Sequence, residues 1–486
     1  MTSSRKFYQQ WRSCAMASMQ LKESATSSFS EKILHMIWMH QRFRNEKCMT
    51  TDGHPLAILH PGFWNYGPGP DFRSAVISIN GKEMKQADIE IDVKASYWRS
   101  HRHDLNPSFN KVCLQVIWKG PVAPNHPLPV LELSKYVKES EIDLKKWANQ
   151  GLPEIWPELI QGKCSAPLAR LDEESLQILT CQASLIRLRI RTREIEEEAK
   201  RVGFEDALWL PLVTGLGYRN NQWPLLQIGK MKKILMEDLS RLDYENALMT
   251  LQARLLGVSS LLPEKIPASQ KPNQQYLKKI WAIWWRERDK FEPNILPKSI
   301  WNMQAIRPAN HPARRLATIA HWMLDKRFFK RLEDWFNKPK QARTAMQEMI
   351  ELLGSYPDDF WSCHWSLKGA AMRRPTLLMG GQRASDLVIN TILPWFLARI
   401  IQSGQEDLKK RVERLYLTWP RLADNQSLKL IRRRLLKGQR CDWIKSAAHQ
   451  QGLLQIMKDF CHHSNAMCEQ CLFPEVVRSL KNNPPS

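Results

Sequence analysis

Long apolar runs are missing from this chain. No stretch reaches the ~18 uninterrupted apolar residues that span a bilayer; the nearest, Thr391 to Ile401, is broken by Pro394 and Arg399. That excludes a channel or transporter and predicts no membrane partner. The first 29 residues lack the apolar core of a secretory signal and hold Arg5, Lys6, Arg12 and Lys22 against one acid, Glu23. They are expected to form a disordered extension. Cysteine is sparse, 10 in 486 residues, and only Cys461, Cys468 and Cys471 cluster. A secreted disulfide framework is therefore excluded and a reducing cytoplasm expected.

Acid is in short supply. The chain has 72 Lys plus Arg against 49 Asp plus Glu, a formal charge of +23. Residues 1–160 hold 20 basic and 16 acidic side chains, whereas the other 326 hold 52 and 33. A field of one sign concentrates polyanions, so nucleic acid is the expected partner. Leu428 to Lys437 reads as an amphipathic helix whose cationic side carries Arg432, Arg433, Arg434 and Lys437, with Arg440 just beyond. As a phosphate-binding stripe these residues give salt-sensitive, sequence-tolerant binding; the same pattern also describes a solvated helix face.

Hydrophobic periodicity divides the chain. Ser28-Phe29-Ser30-Glu31 is a capping box, and Ile33, Leu34, Ile37 and Trp38 follow at helical spacing, which predicts a helix from about 30 to 44. Leu56–His60 reads as a strand. Ala75–Ile79 alternates, Asn80-Gly81 suits a type I′ turn, and the chain returns through Met84 to Lys94. Val112–Trp118 and Val130–Leu133 complete the strands. After Pro153 helical periods dominate, at 173–199, 276–288, 313–324, 428–436 and 453–460. The expected fold is α+β: a disordered extension (1–29), a small mixed or antiparallel sheet domain (30–150), a basic helical region (151–440) and a Cys-rich tail (441–486).

The chemistry concentrates between Gly69 and Asp104. Glu90, Asp92 and Lys94 fall at period two and so point to one face of the returning strand, opposite Ile89, Ile91 and Val93. Asp71, about twenty residues upstream, completes an acid…acid-x-Lys pattern with the logic of the PD-(D/E)xK nucleases. There carboxylates hold Mg²⁺ or Mn²⁺ beside the scissile phosphate and lysine orients water. The same alternation also describes an ordinary antiparallel sheet, apolar inside and charged outside. Downstream, His101-Arg102-His103-Asp104 adds two imidazoles as acid or ligand.

At the other end, Cys461, Cys468 and Cys471, with His462 as a fourth ligand, predict a structural staple holding Zn²⁺ or an iron–sulfur cluster. Three free thiols closing the last helix are the alternative.

These strings resemble the bacterial family known as domain of unknown function 2851, from about residue 30 to the C-terminus. The similarity rests on Thr51-Asp52-Gly53, His60-Pro61-Gly62, Gly69-Pro70-Asp71-Phe72, Ile89-Glu90-Ile91, Lys94-Ala95-Ser96, Trp98, His101, His103 and Asp104, and later on Gly217, Arg307-Pro308, Asn310 and Asn390-Thr391. The resemblance implies kinship and no activity. It also exposes departures: the family pattern has histidine where this chain has Asp92 and Gln115, and Asp-Trp where it has Tyr97-Trp98.

Three functions compete at this stage. The first is a metal-dependent, nuclease-like phosphodiesterase acting on nucleic acid. The second is a non-catalytic nucleic-acid-binding or scaffold protein with a zinc-stapled tail. The third is a β-sandwich or cupin-like metal hydrolase. A helix with a mixed sheet and converging Asp71 and Glu90 favours the first, whereas closed antiparallel sheets favour the third.

Overall fold

The computed structural model describes residues 8, 9, 12, 31–39, 41–44, 48–65, 70–101, 103–141, 143–144, 162–218, 221–265, 273–303, 306–437, 441–461 and 471–482. Helix α1 (Glu31–Met39) opens the sheet domain. Its apolar positions Ile33, Leu34, Ile37 and Trp38 are buried in one core with Ile89, Ile91, Leu114 and Val116. The Trp38 indole N–H donates to Pro61 O at 2.8 Å, which ties the end of α1 to the loop after the first strand.

The sheet contains β1 (Leu56–His60), β2 (Phe63–Trp64), β3 (Phe72–Ile79), β4 (Lys82–Asp92), β5 (Val112–Ile117) and β6 (Val130–Glu132), in the order β1-β3-β4-β5-β6 with β2 also on β3. The β3–β4 hairpin turns at Asn80 (φ 52°) and Gly81 (φ 78°), with Ile79 facing Lys82. Both turn residues need the left-handed region that Asn and Gly tolerate best. β1, β3 and β4 are antiparallel, whereas β4, β5 and β6 run parallel. Among the described residues the sheet is therefore single and mixed, unlike the two packed sheets of a β-sandwich.

Parallel strands need a crossover. Between β4 and β5 the chain forms helix α2 (Tyr97–Ser100) and two 3-10 turns, His103–Leu105 and Pro107–Phe109. The histidines ride on this crossover.

The helical region begins its long elements with α3 (Glu173–Val202) and continues through α4 (Tyr244–Val258), α5 (Asn273–Phe291), α6 (Pro312–Leu324), α7 (Leu393–Ser403), α8 (Gln426–Leu436) and α9 (Ala447–Ile456). The expected helices are present, lengthened by one to three residues at most ends, and the expected 453–460 run instead begins at Ala447 and finishes in a π turn, Met457–Cys461. Trp284, Trp322, Trp335 and Trp395 are core residues, whereas Trp285 is 44% exposed. The continuous helical stretch Gly381–Ser403 is long and apolar enough to cross a membrane, and 78% of its most apolar window is buried inside the protein.

A second helical core joins the two ends of this region. Leu176, Leu179, Ala183 and Ile186 of α3 pack with Leu428, Ile431 and Leu435 of α8, and with Leu453, Ile456, Phe460 and Phe473. The described part of the C-terminal segment is thus built onto α3. The sheet domain meets the helices where the His60 ring lies edge-on to Trp223, 5.0 Å between centroids.

Candidate metal centre

Three segments converge at the end of β4. Its Ile89 and Ile91 enter the α1 core, so Glu90 and Asp92 project from the opposite face by alternation. They are not solvated there: Glu90 is 6% exposed and Asp92 1%. The charged-outside arrangement is therefore absent at these two positions. Asp71, at the entry to β3, locks onto them through the backbone. Its N–H donates to Glu90 Oε2 (3.2 Å), and the Ile91 N–H donates to Asp71 Oδ2 (2.9 Å).

The crossover supplies imidazoles. His103 Nδ1 lies 3.3 Å from Glu90 Oε1, and its ring is stacked on Phe109 at 4.2 Å and edge-on to Trp98. His101 Nδ1 lies 3.8 Å from Asp92 Oδ1, with the side chain 47% exposed. His103 is thus a fixed inner group and His101 an outer one.

α1 adds two residues that the sequence pattern did not single out as ligands. His35 Nε2 sits 3.1 Å from Asp71 Oδ2 and 3.9 Å from Glu31 Oε1. Glu31 and His35, one helical turn apart, stack on the same face. That i,i+4 spacing was the available signal, and Glu31 read instead as half of a capping box.

Gln115 of β5 lies beside these carboxylates. It faces Glu90 in the parallel register of β4 and β5, is fully buried, and its Nε2 donates to Asp92 Oδ2 at 2.7 Å. Its Oε1 is buried without a hydrogen-bond partner. Asp92 and Gln115 are therefore a contacting pair.

The electrostatics are unbalanced. Among the described residues, neither lysine nor arginine forms an ion pair with Glu31, Asp71, Glu90 or Asp92. Burial, reinforced by the charges of Asp71 and Asp92, pushes Glu90 up to about 9. Burial raises Asp92 to about 6, against the opposing pull of the Gln115 hydrogen bond. Burial also lowers His103, helped by His101, and so favours the neutral imidazole that a metal requires. Two sets of ligand atoms each lie within 4.8 Å of one another: Glu90, Asp92 and His103, and Glu31, His35 and Asp71.

Other expected site residues fall elsewhere. β4 ends at Asp92, so the alternation stops two residues short of Lys94, whose side chain is exposed. The basic stripe on α8 is interrupted as well. Arg434 is 3% exposed, and Arg432 forms an ion pair with Asp424, while Arg433 and Lys437 are exposed. Burial of one helix face explains this, because Arg434 follows Ile431 by three positions and precedes Leu435. Arg440, His462 and Cys468 lie outside the described residues, where Cys461 is the last backbone position of the π turn and Cys471 is half-buried.

A protein-family model described as protein of unknown function (DUF2851) matches residues 31–424, and the chain belongs to that family. No curated protein and no solved structure matches the chain.

Proposed function

For this member of a family without an assigned activity, we propose a divalent-metal-dependent, nuclease-like phosphodiesterase acting on nucleic acid. One observation carries the reading: buried carboxylates gather beside imidazoles and, among the described residues, no lysine or arginine pairs with them. Burying such charge unpaired is costly, and a divalent cation removes the cost where a hydrophobic or salt-bridged core would not need one. Glu90 and Asp92 offer two oxygens and His103 one nitrogen. That mixed set suits Mn²⁺ better than Mg²⁺, which prefers an all-oxygen octahedron.

A cation held by Glu90, Asp92 and His103 would supply Lewis-acid stabilisation of a phosphoryl oxygen and would make a nearby water more acidic. The chain's own groups position everything else. Gln115 holds Asp92 in orientation through its amide. Phe109 and Trp98 fix the ring of His103. His101, half-exposed at the rim, is placed to exchange a proton with the attacking or leaving oxygen. Lys94, exposed beyond the strand, takes no part. The nucleic-acid substrate is supported by the excess of basic residues after position 160.

The test is cleavage of single- and double-stranded oligonucleotides by metal-stripped protein to which Mn²⁺ or Mg²⁺ is returned. Cation-dependent cleavage that Glu90→Gln reduces at least 100-fold is expected. Salt-sensitive binding with no cleavage under either cation would transfer the assignment to a non-catalytic nucleic-acid-binding protein.

A further inference from the structure

We infer that Glu31, His35 and Asp71 form a second divalent-cation site, making the centre dinuclear. The inference rests on the reading that Glu90, Asp92 and His103 hold the first cation. The two sets have the same composition, two carboxylates and one imidazole, and in each the ligand atoms lie within 4.8 Å of one another. They also adjoin. The Asp71 carboxylate accepts from the Ile91 N–H, the peptide between the two carboxylates of the first set, and the Asp71 N–H donates to Glu90.

The charge count points the same way. Glu31, Asp71, Glu90 and Asp92 carry four negative charges when ionised, and one divalent cation leaves half of them uncompensated. Two cations match them without calling on a lysine or arginine, none of which pairs with these carboxylates among the described residues.

The second set is built as a ligand site is built, with its nitrogen donor held from behind. His35 is 9% exposed, its ring lies edge-on to Phe72 with centroids 6.1 Å apart, and its Nε2 faces both Glu31 and Asp71. Glu31 and His35 come from one turn of α1, so one helix presents an oxygen and a nitrogen together, as i,i+4 pairs do in helical metal motifs. Two adjacent cations, if held there, would supply charge stabilisation to both the attacking and the leaving oxygen of a displacement at phosphorus. In that reaction a water oxygen bonds to phosphorus, the ester oxygen departs, and the water's proton passes to the solvent or to His101.

The experiment is metal stoichiometry, which does not depend on knowing the substrate. Full-length protein stripped with chelator is titrated calorimetrically with Mn²⁺, and retained metal is counted by mass spectrometry after desalting. Two Mn²⁺ per chain are expected, with a spin-coupled pair in the electron paramagnetic resonance spectrum. Glu31→Gln and His35→Ala should each lower the count to one and leave an isolated-ion spectrum. Glu31→Gln keeps shape at a half-exposed helix start, so it carries the test if His35→Ala does not fold. One Mn²⁺ per chain that neither variant alters would overturn the second site and leave the first standing. No bound Mn²⁺ would overturn both.

Discussion

Single residues decide the character of this centre. Glu90 is held protonated by burial and by the acids around it, with its carboxyl raised from the usual 4.5 to about 9. A carboxyl whose folded value is raised binds its proton more tightly in the folded state. Folding therefore loses stability as pH rises from about 4.5 towards 9, and the loss levels off once Glu90 ionises in the folded state as well. In metal-free protein, Glu90→Gln should stabilise the fold by about 1–3 kcal/mol at pH 8–9, the scale of one relieved buried polar group, and change little at pH 4. Urea unfolding in chelator at both pH values checks this; equal stability at pH 9 contradicts it. With Mn²⁺ present the order should reverse, because the wild type gains more from ligand binding than the variant.

The elements explain which parts of this arrangement were legible beforehand. The β3–β4 hairpin followed from Asn80-Gly81 and alternation, and it placed Asp71, Glu90 and Asp92 together because strand pairing is local in sequence. His101 and His103 followed from being near in sequence to a strand that needed a crossover. Glu31 and His35 reach the site through helix-on-sheet packing, a relation between distant segments that periodicity does not encode. Lys94 lies exposed beyond the end of β4, a position that alternation does not reveal because it has no marker for where a strand stops. Arg434 reads as cationic surface, but a helix face is defined by what packs on it. The same packing gives a test at α3 and α9. A Cβ at Gly452 would sit 2.0 Å from Thr180 O, backbone that does not yield. Gly452→Ala should therefore cost about 1–3 kcal/mol as overpacking and expose α9 to proteolysis. An unchanged unfolding midpoint would show that α9 does not pack on α3 as described.

At the scale of the whole molecule, a mixed sheet bearing the acidic centre is joined to a helical body carrying most of the positive charge. A polyanion is attracted by the body and repelled by an empty acidic centre, so binding should be strengthened by the cation that fills it. Oligonucleotide affinity followed by fluorescence anisotropy in chelator should fall at least roughly tenfold between 50 and 200 mM salt, as phosphate contacts release counterions. Affinity independent of salt contradicts an electrostatic interface. Arg433→Glu with Lys437→Glu, exposed cations on α8 and at its C-terminal cap, should weaken binding and reduce the salt slope if that helix contributes. An unchanged slope would exclude α8 from the interface.

The most direct measurement is a crystal grown with Mn²⁺ and recorded at the manganese absorption edge. Anomalous density bounded by Glu90, Asp92 and His103 is expected, with Gln115 still holding Asp92 from behind. Well-ordered side chains there with no anomalous peak, and the carboxyl groups bonded directly to one another by shared protons, would contradict a metal centre.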